Sequence, residues 1–273
     1  MNISVLLPVY EKDVPVYLNE CLDSIVKQTV KPDEVVVVLD GPIPDALERV
    51  IESFDDSLNI VRVRIPENKG LGNALREGVI VAAGELIARV DADDISDRFR
   101  FEKQLSEFKA DSTIDIVGTY IDEFEADVAT TKAQRVVPSE HNEIVKFAKL
   151  RCPVNHPSVM FKKSAVVQAG NYQDFFHLED YYLWIRMIMN NLKFKNIPEP
   201  LVYMRVGNGM YGRRGGFDYY VSNVKLRFKF FKINFINVKE LFVVLVMVSG
   251  NFFLPVKVRE MVYTKFLRRK IHE

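Results

Sequence analysis

Cysteine is scarce in this sequence. Cys21 and Cys152 are the only two in 273 residues, they lie far apart, and neither belongs to a C-x-x-C spacing. We therefore expect neither a disulfide framework nor a cysteine-based zinc site, and a reducing cytoplasm suits the chain. The first residues also lack a basic leader and a long apolar segment ahead of the β-branched run that starts at Ile3, so no secretory signal is expected.

Net charge is also missing. The 37 lysines and arginines balance the 37 aspartates and glutamates, which gives no reason to expect a nucleic-acid partner. The charges are unevenly spread, because Val224 to Glu273 carries eleven basic side chains against three acidic ones. A hydrophobic fraction of 48% at this length supports one large domain, or one domain with an appendage.

Short β-branched runs alternate with helical patterns through the first third of the chain. The predicted strands are Ile3 to Val9, Glu34 to Leu39, Asn59 to Ile65 and Glu85 to Val90, and the predicted helices are Val16 to Gln28, Asp45 to Phe54 and Leu71 to Ala83. The strands are continuously apolar, which is typical of a parallel sheet covered on both faces. Ligands bind beyond the carboxyl ends of such strands, so Asp40, Asn68 and Asp91 are expected to meet in one crevice.

The rest of the chain predicts a mixed sheet. The predicted strands are Asp115 to Tyr120, a partner around Asp122 to Asp127, and Ser158 to Phe161, and the predicted helices are Phe99 to Lys109, Ser139 to Ala148 and Glu179 to Asn190. The two parts together predict an α/β fold with a doubly wound mixed sheet.

Three carboxylates crowd together in Asp91-Ala92-Asp93-Asp94 at the end of an apolar strand. They repel one another unless a cation shares them, and oxygen ligands suit Mg²⁺ or Mn²⁺, which can bridge a protein to a diphosphate. An acidic turn that caps the next helix, with Asp94 or Ser96 as the N-cap, would explain the same residues without a metal. The motif alone leaves both interpretations open.

Several segments in order resemble the family 2 glycosyltransferases, which have a GT-A fold. They are Val5 to Glu11, Asp40-Gly41, Asn68 to Ala74, Asp91 to Asp94, Asn155 to Ser158 and Glu179-Asp180. The resemblance implies a metal-dependent GT-A catalytic domain over residues 1–205. Residues 206–273 would then form a lid loop and a helical, basic and aromatic extension.

The resemblance also implies a site for the nucleoside of a sugar donor. Main chain near Pro8 and Tyr10 and the carboxylates of Glu11 and Asp40 would hold it, with Asp40 at the uracil ring of a UDP-sugar. Glu11 can equally be a surface charge after a strand, and Asp40 can equally be a turn former.

The donor diphosphate would be bound by the segments that follow. By resemblance Asp91 and Ala92 contact the nucleotide, Asp91 and Asp93 hold the metal ion, and Lys69 and Arg76 reach the phosphates. A solvated role explains Lys69 and Arg76 as well. A dinucleotide-binding loop is not expected at Gly70-x-Gly72, because the last glycine of G-x-G-x-x-G is replaced by Leu75.

Glu179-Asp180 forms a second acidic pair, at the start of a predicted helix. An inverting transferase needs one general base for the acceptor hydroxyl, and by resemblance Asp180 is that base, with Glu179 and His156 lining the acceptor pocket. Carboxylates at a helix N-terminus are favourable without any chemistry, and a lone histidine beside a proline is often structural. Trp184 is expected in the core.

The segment after Tyr203 has the glycine content of a mobile lid. It lacks the histidine that the family pattern often shows, and Arg213 or Arg214 would neutralise the diphosphate in its place. Farther on, Leu241 to Leu254 is too short and too interrupted to span a membrane. Basic and aromatic residues surround it, so we expect peripheral contact with an anionic membrane surface, although a helical subdomain with a solvated basic face is the alternative.

These features predict an inverting enzyme at the cytoplasmic face of a bacterial inner membrane. By resemblance it would move galactose or glucose from a UDP-sugar, in a β1,3 linkage, onto an undecaprenyl-diphosphate-linked sugar during O-antigen or capsule synthesis. The alternatives are a catalytically silent nucleotide-sugar-binding or scaffold protein and a nucleotidyltransferase. The last would normally carry a glycine-rich basic loop after the first strand, and Pro8-Val9-Tyr10-Glu11 offers none.

Overall fold

The computed structural model describes residues 1–131, 133–175, 177–206, 216–254 and 269–270. The first part follows the predicted alternation. Its elements are β1 (Ile3–Val9), α1 (Pro15–Val26), β2 (Glu34–Asp40), α2 (Asp45–Glu52), β3 (Ile60–Ile65), α3 (Leu71–Val81) and β4 (Leu86–Arg89). All seven were predicted, with ends that differ by a few residues.

These four strands are parallel and lie in the order β3-β2-β1-β4. The chain winds outward from β1 to β3 and then returns to the other side of β1, so the topological switch point lies between β1 and β4. Alternate side chains of β1 pack on opposite faces: Leu6 contacts the hydrophobic cluster that includes α3, and Val5 and Leu7 contact the cluster that includes α1. The doubly wound arrangement is confirmed.

The second part adds antiparallel pairs to the β4 edge. Its elements are β5 (Ile95–Ser96), α4 (Arg100–Ala110), β6 (Ile114–Phe124), β7 (Ala133–Arg135), α5 (His141–Ala148), β8 (Met160–Lys162), α6 (Lys163–Gln168), α7 (Glu179–Met189) and β9 (Lys193–Arg205). Strand β8 lies between β4 and β6 and is antiparallel to both. The predicted mixed sheet is therefore confirmed.

One predicted strand is wrong. The separate partner expected around Asp122 to Asp127 is the continuation of β6, which runs unbroken to Phe124. Its antiparallel partner is β7, in which Gln134 lies opposite Asp122. Asp122 and Glu123 imitate a strand boundary because acidic residues are rare inside strands, although both are buried here.

Strand β9 was not predicted. Pro198 and Pro200 interrupt its sequence, and prolines argue against a central strand. It pairs in parallel with β6 through register shifts around Tyr120, so the prolines fall where the ladder is irregular. This strand carries the chain back to the acidic turn after β4.

Two helices follow the sheet, α8 (Phe217–Lys232) and α9 (Val238–Phe253). Leu226 and Phe230 of α8 and Val244 of α9 are buried in the same hydrophobic cluster as Trp184 of α7. The extension therefore packs against the face of the sheet that carries α7. In the part of the chain that the structure describes, no helix has both the length and the hydropathy needed to cross a membrane.

Candidate active site

The acidic turn lies at the switch point between β1 and β4. Both oxygens of Asp91 accept from the buried guanidinium of Arg89, with Nη1 2.6 Å from Oδ2 and Nη2 bonded to Oδ1. Ala92 is buried, and burial together with the charge of Asp91 raises the pKa of Asp93 to about 6. The charges of Arg89 and Arg205, whose Nε donates to the carbonyl oxygen of Asp93 at 3.2 Å, lower that pKa but do not cancel the rise.

Asp94 is the most deeply placed of these carboxylates. Its Oδ1 accepts the main-chain N–H of Arg205, at the end of β9, at 3.0 Å. Its Oδ2 is buried and has no hydrogen-bond partner among the described residues. Burial, followed by the charges of Asp91 and Asp93, raises the pKa of Asp94 well above its ordinary value. Asp94 does not cap α4, as one interpretation of the sequence held, but joins the turn to β9.

Asp13 is an acidic neighbour that sequence reasoning missed. Its Oδ2 accepts the main-chain N–H of Tyr10 at 2.9 Å, in the loop after β1. Burial, together with the charges of Asp93 and Asp91, raises its pKa to about 7. We call Asp13, Asp91, Asp93 and Asp94 the acidic cluster. Proximity to the D-x-D turn arises only through the β1–β4 pairing, so nothing local in the sequence marks Asp13.

The acidic cluster fits a divalent cation in its chemistry. Carboxylate oxygens are the ligands that Mg²⁺ and Mn²⁺ prefer, and the unpartnered Asp94 oxygen and the raised pKa of Asp93 both indicate missing positive charge. No three acidic, histidine or cysteine side chains within the described ranges form a ready metal-binding group. The protein would thus offer one or two carboxylates, from Asp91 and Asp93, and a bound diphosphate would supply further oxygens.

Arg89 connects the acidic cluster to the second acidic pair. It is a fully buried cation in an otherwise apolar strand, and Arg100 donates to its carbonyl oxygen at 2.7 Å. The positive charge of Arg89 lowers the pKa values of Asp93, Glu179 and Asp180, against the larger effect of burial. The signal that could have identified it is an arginine two residues before the D-x-D, inside a β-strand pattern.

Asp40 lies at the end of β2 and organises the loop before α3. Its two carboxylate oxygens accept the main-chain N–H groups of Lys69 and Gly70 at 2.8 and 2.9 Å. Gly41 has a φ of 87°, and a Cβ there would lie 2.8 Å from the main-chain nitrogen of Asn68. Both the left-handed conformation and this close approach require glycine. Asp40-Gly41 thus has a structural role in addition to the expected one at the nucleoside.

The remaining expected donor residues lie mostly at the protein surface. Pro8 is half-buried at the end of β1, and Tyr10 and Glu11 are exposed in the loop that follows. Lys69 is exposed, with Nζ 3.5 Å from Oε1 of Glu67, and Arg76 is exposed on α3. Arg213 and Arg214, which were expected in the lid, lie outside the residues that the structure describes.

Glu179 and Asp180 form the first turn of α7, close to the start of α3. A Cβ at Gly72 would lie 3.3 Å from the Cβ of Glu179, so the two helix ends are in contact. Burial and the charge of Asp180 raise the pKa of Glu179 to about 7. Burial also raises the pKa of Asp180, whereas hydrogen bonds to it from the main chain of Tyr181 and from Cys152 lower that pKa. Asp180 is partly buried, with 20% of its side chain exposed, and a carboxylate of raised pKa that remains accessible has the properties of a general base.

His156 lies beside Asp180, and its ring packs edge-on against Trp184. It is buried, with Nδ1 4.0 Å from Oδ2 of Asp180 and Nε2 3.0 Å from the hydroxyl of Tyr172. Burial, and then the charge of Arg89, lower its pKa well below the ordinary value, so its ring is neutral. Trp184 is fully buried, as expected. Tyr172 and Cys152 were missed, because their contacts with this site are long-range in sequence.

The chain is similar to known glycosyltransferases along most of its length. The family model described as "Glycosyl transferase family 2" matches residues 4–167. An uncharacterized glycosyltransferase of Haemophilus influenzae is 39% identical, over 98% of this chain and 100% of that protein. The UDP-Gal:alpha-D-GlcNAc-diphosphoundecaprenol beta-1,3-galactosyltransferase of Escherichia coli is 36% identical over 97% and 96%. The amylovoran biosynthesis glycosyltransferase AmsE of Erwinia amylovora is 34% identical over 96% and 98%.

Solved structures share the fold. S. aureus TarS 1–349 in complex with UDP superposes with a TM-score of 0.66 at 18% identity, over 93% of this chain and 72% of that chain. The mannosyltransferase PcManGT from Pyrobaculum calidifontis, in complex with GDP-Man and Mn²⁺, gives 0.64 at 17% identity, over 94% and 71%. At these identities the likeness extends to the architecture alone.

Proposed function

This chain belongs to glycosyltransferase family 2, and on that premise we propose that it is an inverting, metal-dependent hexosyltransferase whose general base is Asp180. The observation that carries the proposal is the partly buried carboxylate of Asp180, 20% exposed and held at the start of α7. Glu179, whose pKa is raised to about 7, would line the acceptor side in its neutral form at lower pH. His156 is buried beside Asp180, with Nδ1 4.0 Å from Oδ2 of that carboxylate.

The proposed reaction is a single displacement. Asp180 takes the proton of an acceptor hydroxyl while that oxygen forms a bond to the anomeric carbon, and the bond from this carbon to the donor diphosphate breaks with its electron pair leaving on the phosphate. Attack from the face opposite the leaving group inverts the configuration. A divalent ion held by Asp91 and Asp93 would stabilise the charge that develops on the departing diphosphate.

We propose a UDP-hexose as the donor, with galactose or glucose transferred in a β1,3 linkage. The support is the Escherichia coli relative, whose name specifies UDP-Gal, a lipid-diphosphate-linked GlcNAc acceptor and a β1,3 bond. Asp40 and the loop it organises, with Pro8, Tyr10 and Glu11, would bind the nucleoside, and Lys69, Arg76, Asp91 and Ala92 would border the diphosphate. An undecaprenyl-diphosphate-linked sugar would be the acceptor, in the synthesis of a bacterial surface polysaccharide such as O-antigen or capsule.

A lipid-linked acceptor would bring the protein to the cytoplasmic face of the inner membrane. Residues 1–205 are the proposed catalytic domain and residues 206–273 the proposed lid and membrane-associating region. Apolar side chains of α9 face solvent, with Phe242, Val246 and Met247 about half or more exposed. Basic residues of the extension surround this apolar face in the sequence, which suits peripheral contact with anionic lipid.

The test is a turnover assay. Purified protein with Mn²⁺ is given a panel of UDP-, GDP- and dTDP-sugars and synthetic GlcNAc- or GalNAc-diphosphate-lipid acceptors, and nucleoside diphosphate release and product mass are measured. We expect transfer from one UDP-hexose, lost in Asp180→Asn and kept in the exposed control Asp218→Asn. An α-linked product by NMR, from an α-configured donor, would refute inversion.

A second outcome would favour the scaffold alternative. If UDP binds but no donor is turned over, and Asp180→Asn changes nothing that can be measured, the chain binds nucleotide sugars without catalysis. The partly buried carboxylate of Asp180, whose pKa is raised by burial, supports catalysis over that alternative, because shifted pKa values cluster at functional sites.

A further inference from the structure

The side chains of His156, Tyr172 and Asp180 lie in a row outside the proposed donor and metal sites. The Tyr172 hydroxyl is 3.0 Å from His156 Nε2, and His156 Nδ1 on the other side of the ring is 4.0 Å from Asp180 Oδ2. Trp184 packs edge-on against both rings, with centroid distances of 5.8 Å to His156 and 6.5 Å to Tyr172. The rings are therefore fixed in place by packing as well as by hydrogen bonding.

The contacts determine which nitrogen of His156 carries the proton. Burial raises the pKa of Tyr172 and lowers that of His156, so the phenol keeps its proton and the imidazole is neutral. If Tyr172 donates to Nε2, the ring proton is on Nδ1 and faces the carboxylate of Asp180. In the other tautomer the phenol hydrogen would lose its acceptor and a nitrogen lone pair would face a carboxylate, which costs energy twice.

Burial raises the pKa of Asp180, and a main-chain hydrogen bond from Tyr181 and the charge of Arg135 lower it, so the carboxylate has other partners as well. The Cys152 thiol donates to Oδ2 from 3.6 Å, and a thiol is a weak donor. The Nδ1 distance of 4.0 Å is longer than a hydrogen bond, and catalytic contacts often tighten only when substrate binds. An imidazole N–H directed at the carboxylate would then fix its orientation, as a histidine is fixed by its own partner in a hydrolase triad.

We propose that His156 is a positioning residue for Asp180, held in its Nδ1–H tautomer by the hydroxyl of Tyr172. Tyr172 sets the tautomer, His156 directs an N–H at the carboxylate, and the carboxylate is aimed at the acceptor hydroxyl. The inference rests on the proposed function, because it gives Asp180 the role of general base.

The tautomer is measured directly by NMR. In ¹⁵N-labelled protein, the ¹⁵N shifts and the couplings to ring protons distinguish Nδ1–H from Nε2–H. We expect Nδ1–H for His156. His141 is a control in the same spectrum, because its Nδ1 accepts the main-chain N–H of Phe194 at 3.2 Å and its proton must therefore be on Nε2. An Nε2–H signal for His156 in the wild-type protein overturns the proposal, whereas loss of the pure Nδ1–H signal in Tyr172→Phe supports it.

Kinetics then test the positioning. His156→Ala should lower kcat about 10- to 100-fold, since misplacement of a reacting group by about 1 Å has effects of that order. The KM for the donor should stay within about threefold, because the donor is held elsewhere. His156→Asn places an amide N–H near the position of Nδ1 and should recover much of the loss, and His141→Ala should keep the wild-type kcat.

Equal kcat values for His156→Ala and wild type overturn the proposal, as does a His156→Asn variant no better than His156→Ala while both remain folded by Trp184 fluorescence. Failure of the proposed function has a different signature. In that case Asp180→Asn keeps its activity whichever tautomer the spectrum records, and the role of Asp180 falls together with that of His156.

Discussion

Replacing Arg89 by methionine removes the buried guanidinium that is bonded to both carboxylate oxygens of Asp91. Arg89 is 2% exposed and Asp91 is 30% exposed, so the substitution leaves a partly buried carboxylate unpaired. Breaking a buried ion pair by removing one partner costs about 3–5 kcal/mol of unfolding free energy. Because Asp91 keeps some contact with water, we expect about 3 kcal/mol. The matched control is Arg62→Met, whose pair with Asp55 is more exposed and should contribute about 0–1 kcal/mol.

The assay is urea unfolding followed by the fluorescence of Trp184, which is the only tryptophan and is fully buried. Metal-free buffer with EDTA gives the full loss for Arg89→Met. Adding Mn²⁺ should recover more stability in Arg89→Met than in wild type, because a divalent ion supplies the charge that the variant lacks. Equal losses for Arg89→Met and Arg62→Met, or equal stabilisation of all three proteins by Mn²⁺, would refute the view that Arg89 neutralises the cluster.

Three other changes test the same region. Asp93→Ala should abolish metal-dependent turnover with the fold intact by circular dichroism, and undiminished activity in EDTA would remove the metal. The metal-free protein should lose stability as pH rises from about 4 to 7. Asp13 and Asp93 have folded pKa values of about 7 and about 6 against an ordinary 3.8, so the folded state binds more protons than the unfolded state in that window. Urea midpoints that rise with pH would contradict this. Gly41→Ala should lower the free energy of unfolding by about 1–3 kcal/mol, because its φ of 87° and the approach of Asn68 exclude a Cβ. It should also weaken UDP binding, measured by calorimetry. The control Gly250→Ala, which has open space around it, should be neutral or stabilising.

The elements of the first part could be predicted because their signal is local. β1, β2 and β4 are apolar runs of four to seven residues, and the helices between them have a regular apolar face. β9 lacks such a signal, because its prolines are tolerated only at irregular pairs with β6, and those pairs exist only in the assembled sheet. The separate strand predicted after β6 is wrong for a related reason, because a local change of polarity within β6 was mistaken for the end of a strand.

The site divides in the same way. Asp91, Asp93 and Asp180 stand out because two or three carboxylates are adjacent in the sequence, and repulsion between neighbours is a local signal. Asp13 and Tyr172 are isolated residues whose partners lie in other elements. Sequence spacing therefore identifies carboxylates that are adjacent in the chain and repel one another. The fold is needed to find the residues of other elements that lie beside them.

The proposed boundary at residue 205 separates two sequence patterns but not two packing units. Arg227 of α8 donates from Nη1 to the hydroxyl of Tyr181 at 2.6 Å and from Nη2 to the carbonyl of Leu150 at 3.1 Å. Tyr181 follows Asp180 directly, and its hydroxyl also donates to the carbonyl of Ala148 at 2.6 Å. The extension thus holds the residue next to the proposed base. If α9 attaches the protein to a bilayer, the contacts of Arg227 would therefore connect that attachment to the first turn of α7, which carries the proposed base.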